Sequence, residues 1–145
     1  MRSGVLACLA VTLAACQTPL GDALFCQPAL RPVDELGPAR ELRARVRVER
    51  GGDVAHLELS IEKRDDELVM VARNEMGAIA FALVQRGSAA EIVRSLPRSL
   101  LPLPPVALLA DVQAVFFRSE VGERQRSSTR CGYSAHFSLV GETFP

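Results

Sequence analysis

Four cysteines, two histidines and one run of three acidic residues hold most of the reactive chemistry open to this 145-residue chain. The cysteines are Cys8, Cys16, Cys26 and Cys131. None has a partner at metal-ligand or Cys-x-x-Cys spacing, so neither a thiolate metal site nor a redox pair is expected. A thiol can instead be acylated or oxidised to a disulfide, and its compartment decides which. His56 and His136 fall in alternating stretches on or near polar faces. Surface positions are the simpler reading, and an acid–base or metal role would require acidic groups gathered around both. Asp65-Asp66-Glu67 could attract a cation, yet three acids between strands read as a solvated turn. The chain has no Gly-x-Ser-x-Gly elbow, phosphate loop or His-Glu-x-x-His. A non-enzymatic protein without metal or cofactor is the expectation.

The first cysteines sit in a distinctive segment. Arg2 is the only charge before Asp22, and Val5 to Val11 is an apolar run leading through small residues to Cys16. That is the order of a secretory signal, too short for a spanning helix, which needs about 20 apolar residues. Leu13-Ala14-Ala15-Cys16 resembles the lipobox of bacterial lipoproteins, in which the cysteine thiol receives a diacylglyceryl group and becomes the acylated first residue. The resemblance implies removal of residues 1–15 as a signal peptide and anchorage to a membrane through Cys16. Alternatives are an ordinary secreted protein with a cysteine near its cleavage site, or a retained membrane helix. Each buried methylene adds about 0.8 kcal/mol and one acyl chain binds only marginally, so several chains are what make an anchor permanent. Gln17, where an Asp would retain an enteric lipoprotein at the inner membrane, points to the periplasmic face of the outer membrane.

Losing residues 1–15 would leave 130 of the 145 residues, one domain's worth, with 16 basic against 17 acidic side chains. No basic footprint for nucleic acid is present. Bulk comes from Leu, Val and Ala, with six Phe, one Tyr and no Trp. Cys26 and Cys131 remain as a pair in an oxidising compartment and would close a loop of 105 residues; two free thiols are the alternative. A monomer is expected.

Residues 16–38, rich in proline, read as a lipidated tether, and 39–145 as a single domain. Glu41 to Arg50 alternates strictly, with Leu42, Ala44, Val46 and Val48 opposite Arg43, Arg45 and Arg47, as a half-buried strand does. Gly51-Gly52-Asp53 suits a hairpin. Strands follow over Val54–Glu62, Leu68–Ala72 and Ala78–Gln85, the charged turn Lys63–Glu67 lying between the first two, and make an antiparallel meander. Ser88, with Glu91 completing a capping box, suggests a short helix through Arg94. Leu96 to Pro105 holds four prolines and four leucines and reads as an extended apolar loop. Pro105 to Phe117 has helical spacing. Arg118 to Arg130 is polar, a loop flanking a short strand, and Tyr133 to Val140 alternates as a last strand. The fold class is α+β, mainly β: a curved antiparallel sheet or half-barrel covered by one or two short helices.

Met76-Gly77-Ala78-Ile79-Ala80-Phe81-Ala82-Leu83-Val84-Gln85, then Leu96-Pro97, Leu103-Pro104-Pro105 and Leu108-Leu109-Ala110-Asp111-Val112-Gln113, resemble a domain-of-unknown-function family of bacterial lipoproteins often found in aryl-polyene gene clusters. That family is similar to the LolA/LolB lipoprotein carriers, whose half-open antiparallel barrel is closed by helices over an acyl-binding cavity. Phe116-Phe117 replaces the family's Trp-Pro, and the Cys26/Cys131 pair is not part of its pattern. The resemblance implies a carrier that binds or relays acyl chains of lipoproteins or of a lipid-linked product. Its sheet wall would be Val46, Leu57, Leu59, Ile61, Ile79, Phe81 and Leu83, and its lid Leu101, Leu103, Leu108, Leu109 and Val112. A helix that merely plugs a filled core, on a lipoprotein that docks a protein partner, is the competing reading. Asp111 fits no apolar role and is expected to pair with backbone or an arginine. Replacing Cys16 by Ser should abolish labelled-palmitate incorporation and leave an uncleaved precursor in the cell; a processed, labelled Cys16→Ser chain would sink the anchor assignment.

Overall fold

A computed structural model describes residues 26–117 and 125–145, with side chains from 127 onward in the second span. The signal segment, Cys16 and the linker 118–124 lie outside the described residues. Alternation of apolar and polar residues dictates the strands: β1 (Arg40–Arg50), β2 (Asp53–Lys63), β3 (Glu67–Asn74), β4 (Ile79–Arg86) and β5 (Ala89–Ser95). Helix α1 (Pro105–Phe116) follows, then β6 (Gln125–Arg130) and β7 (Tyr133–Thr143). The strands form one antiparallel sheet of seven in the order β5-β4-β3-β2-β1-β7-β6. It is an open sheet, not a closed barrel, with β5 and β6 as its edges.

Turn chemistry fixes the register. Gly51 and Gly52 both have positive φ, 56° and 89°, as the two-residue turn between paired Arg50 and Asp53 demands. In β1 and β2 the inward pairs Leu42–Ile61, Ala44–Leu59 and Val46–Leu57 alternate with outward pairs such as Arg45–Glu58. Only Arg45 and Glu58 form a cross-strand ion pair in that row, at 3.5 Å, because Arg43 faces Ser60 and Arg47 faces His56.

Two local expectations are corrected. Residues 88–94 are not helical: Ser88 lies in a turn and the rest belong to β5. Gly87, with φ 56°, and Ser88 turn the chain so that Arg86 pairs with Ala89, and Glu91 sits opposite Val84 instead of capping a helix. The second concerns Ile79. A bulge shifts the β3–β4 register between Ala72 and Arg73, so that Ala72 faces Phe81 but Arg73 faces Ile79. Ile79 is thereby half-buried outside the core cluster, while Phe81 and Leu83 stay inside it.

Helix α1 starts where proline costs least, with Pro105 as its first residue. It is buried on almost every side, which one sheet face cannot achieve alone. The sheet covers one flank, and residues 26–36 cross the other. Of the span 16–38 read as a tether, this described part is bound to the domain. Val33 and Leu36 enter the core from a 3-10 turn, and Arg31 donates from Nη1 to the Phe117 carbonyl at 3.3 Å. Arg40 donates to the Phe116 carbonyl and stacks 4.1 Å over the Phe117 ring. Two cations thus answer the negative end of the helix dipole.

Cys26 and Cys131 are bonded, with Cα atoms 5.5 Å apart and a sequence separation of 105 residues. Cys131 occupies the β6–β7 turn at φ 54°, the one non-glycine residue with positive φ among the described residues. A bond closing so long a loop contributes about 4–5 kcal/mol in the chain-entropy model. Urea unfolding of a Cys26→Ser/Cys131→Ser chain should therefore show a loss of about 3–5 kcal/mol. A Cys26→Ser/Cys131→Gly chain should recover about 1 kcal/mol of it, since glycine bears no left-handed penalty. Equal stability of all three chains would refute both assignments.

Candidate functional site

The Leu-Pro loop after β5 builds an apolar concave surface. Leu96 extends the β4 pairing by donating its N–H to the Ala80 carbonyl at 2.8 Å. Pro97 then ends the strand, and Arg98–Leu100 forms a single 3-10 turn. The three leucines that follow Ser99 separate by depth: Leu103 is buried, Leu101 half-buried and Leu100 exposed. Between this loop, the start of α1 and Ile92 of β5 lies a cleft of about 420 Å³, lined by Leu96, Pro97, Leu101, Leu103, Pro104 and Val106. That volume falls within the range of small-molecule sites. Cys26, Gln27, Arg50 and Arg98 also border it.

The proposed sheet wall and lid lie together, but against each other. Leu57, Leu59, Ile61, Phe81, Leu83, Leu103, Leu108, Leu109 and Val112 belong to one buried cluster. Phe81, Leu83, Leu108, Leu109 and Val112 have 0% accessible surface, so no water-sized space touches them. Leu101 and Leu103 also line the rim cleft. Apolar concavity is therefore found at the rim of the lid rather than beneath it.

The two buried polar residues of α1 have structural partners. Asp111 is 0% exposed, and its Oδ2 accepts from the Tyr133 hydroxyl at 2.6 Å. Its Oδ1 accepts from Ser128 Oγ at 2.7 Å and lies 2.5 Å from Arg130 Nε, a charge contact whose N–H is not aligned for a hydrogen bond. Burial pushes the Tyr133 phenol far above its usual value, and the hydrogen bond to Asp111 adds to the effect. Gln113 answers in the opposite direction: its Nε2 donates to Gln85 Oε1 at 2.7 Å, and its Oε1 accepts from the Arg31 backbone N–H at 2.9 Å. Gln85 Nε2 donates onward to the Arg31 carbonyl at 2.7 Å. Asp111, Gln113, Gln85 and Tyr133 are closed to solvent and each is hydrogen-bonded, an arrangement that positions α1. Gln85 and Tyr133 share the inward parity of Phe81–Leu83 and Ala135–Phe137, the signal by which they could have been found.

His56 and His136 do share a row, each paired with Arg47 from opposite sides, two strand spacings or roughly 10 Å apart. His56 Nδ1 lies 2.8 Å from Glu75 Oε1. Both border an open polar cleft of about 750 Å³ on the outer face, in which Arg45 faces Glu58. Among the described residues no three His, Cys, Asp or Glu side chains are placed to hold a metal ion. Nor is any helix among them long and apolar enough to cross a membrane. Glu67 of the acidic run is paired with Arg86 at 2.6 Å.

A family model described as "Protein of unknown function (DUF3261)" matches residues 41–130, from β1 to the end of β6. No curated protein matches the chain.

Tyr133 is the only tyrosine in a chain without tryptophan, so phenolate absorbance reports it alone. Its folded pKa lies above the unfolded value of 10.0. The stability it lends is therefore complete below about pH 10 and falls as pH rises beyond that. Phenolate absorbance should stay absent in the native chain near pH 10 and appear only with unfolding, and Asp111→Ala should cost about 3 kcal/mol. Ordinary titration of Tyr133 in the folded chain would contradict the buried Asp111 pairing.

Proposed function

The chain belongs to the DUF3261 family, and from its Leu13-Ala14-Ala15-Cys16 segment and the geometry of its domain we propose a lipoprotein held by Cys16 at the periplasmic face of a bacterial outer membrane, whose domain takes up an acyl chain. The cargo would be the chain of another lipoprotein or of a lipid-linked product, and the action binding or relay without catalysis. One observation supports the reading above all: an apolar cleft of about 420 Å³ beside the point where the N-terminal segment joins the domain. An open antiparallel sheet around one helix is also compatible with a LolA/LolB-like carrier. The difference is where cargo would sit, since the space between sheet and helix is filled and the rim cleft is not. Binding there would be mainly hydrophobic, with Arg50 and Arg98 at the border available to a carboxylate or phosphate headgroup.

The filled core favours a second reading, a lipoprotein that docks a protein partner through its surface. A fluorescent fatty acid separates the two. A chain of residues 16–145 carrying Cys16→Ser, exported behind an ordinary cleavable secretion signal in place of residues 1–15, should bind the probe, release it to competing fatty acid, and carry lipid from the cell. Leu101→Asp, at the half-buried wall of the cleft, should weaken binding by about tenfold or more. No co-purifying lipid and no probe binding would leave only the docking reading.

A further inference from the structure

Turns of an antiparallel meander alternate between the two ends of the sheet. The β1–β2, β3–β4 and β6–β7 turns and the exit from β5 consequently share one end. At that end Val54 beside the first turn is 48% exposed, Met76 in the second 89%, and Leu100 in the Leu-Pro loop 65%. Single exposed apolar residues are ordinary; one at each of three separate tips on a single end is a pattern. The turns of the opposite end are Lys63–Glu67, entirely charged, and Arg86-Gly87-Ser88-Ala89. Toward that end the exposed large apolar residues are Val140, within β7, and Phe144, just beyond it, neither of them in a turn.

Chain geometry supplies the occupant. The disulfide fixes Cys26 to Cys131 at the apolar end, and Cys16 lies ten residues before Cys26. Ten residues reach at most about 35 Å, so an anchored Cys16 keeps this end close to lipid. The opposite end lies the length of the 11-residue strand β1 away from Cys26, about 36 Å, so it could meet lipid first only with the ten-residue segment drawn out fully. We infer that the end bearing Val54, Met76 and Leu100 rests on the bilayer that holds the anchor, an inference that rests on the Cys16 anchoring proposed above. Arg50 and Arg98 border this end and Asp53 and Glu75 offset them, so contact with lipid is chiefly apolar. The rim cleft opens on the same end, between Cys26, Arg50 and Leu101. An acyl chain leaving the bilayer would enter it without crossing water.

The absence of tryptophan from the chain makes single reporters unambiguous. Full-length chains carrying Met76→Trp, Leu100→Trp or Asp65→Trp are expressed with labelled palmitate, purified in acylated form, and reconstituted on vesicles of phosphatidylethanolamine and phosphatidylglycerol with brominated acyl chains. Met76→Trp and Leu100→Trp should be quenched several-fold relative to non-brominated vesicles, and Asp65→Trp should be unchanged. Label at Cys16 with equal, weak quenching at all three positions overturns the inference while the anchor stands. Absence of label at Cys16 overturns the anchor and the inference with it.

Discussion

Helix α1 is buried nearly all round, and the remainder of the domain is arranged to make that burial tolerable. A helix in such a place can carry polar side chains only if each finds partners, since an unanswered buried carboxylate or amide costs several kcal/mol. Asp111 and Gln113 lie two residues apart, about 200° around the axis, and so point to different neighbours. Asp111 is held by the β6–β7 hairpin through Tyr133, Ser128 and Arg130. Gln113 is held by β4 and by residues 26–36, the strap across the helix, through Gln85 and Arg31. The two ties are directional where the surrounding leucine contacts are not. They fix the rotation of α1 and join pieces of chain far apart in sequence.

That arrangement accounts for an unclosed sheet without a collapsed interior. Strand β5 offers little to bury, with Ile92 and Val93 exposed, and it carries Glu91 and Arg94 on its free side. β6 is short and polar. Both edges are of the kind that discourages pairing with another chain. The helix and strap fill the space that closure would have enclosed, and the apolar surface left over gathers where the proline-rich loop cannot lie flat on the sheet.

The sequence shows the central sheet plainly, because β1 and β2 each bury one face and expose the other, and period two survives intact. The diglycine hairpin and the helix from Pro105 are legible for equally local reasons, and the cysteine pairing because Cys26 and Cys131 are what remain once Cys8 and Cys16 are assigned to the signal and the anchor. β5 is illegible because an exposed edge strand has no buried face to impose alternation, and Ser88 with Glu91 imitates a capping box. Ile79 is misplaced by one bulge, which reverses parity without leaving a mark in composition. Residues 26–36 read as part of a tether since Pro28 and Pro32 report conformation and not contact; only Val33 and Leu36 hint at burial. Asp111 is recognisable as an anomaly, but its partner Tyr133 lies beyond a polar linker and is identified only once β7 is seen beside β1.

The place of β7 has a consequence for how the molecule comes into being. Strand β1, interior to the sheet, has one neighbour supplied at once by β2 and the other only by the last strand of the chain. Until Tyr133–Thr143 is available, Val46 and Val48 form part of an unfinished edge, Asp111 lacks its phenol, and Cys26 has no thiol to join. Pairing across such a separation is slow compared with hairpin closure. A chain delivered across a membrane from its N-terminus would thus remain unlocked throughout its passage. In such a chain the Cys26–Cys131 bond and the β1–β7 pairing would both wait for the C-terminal hairpin.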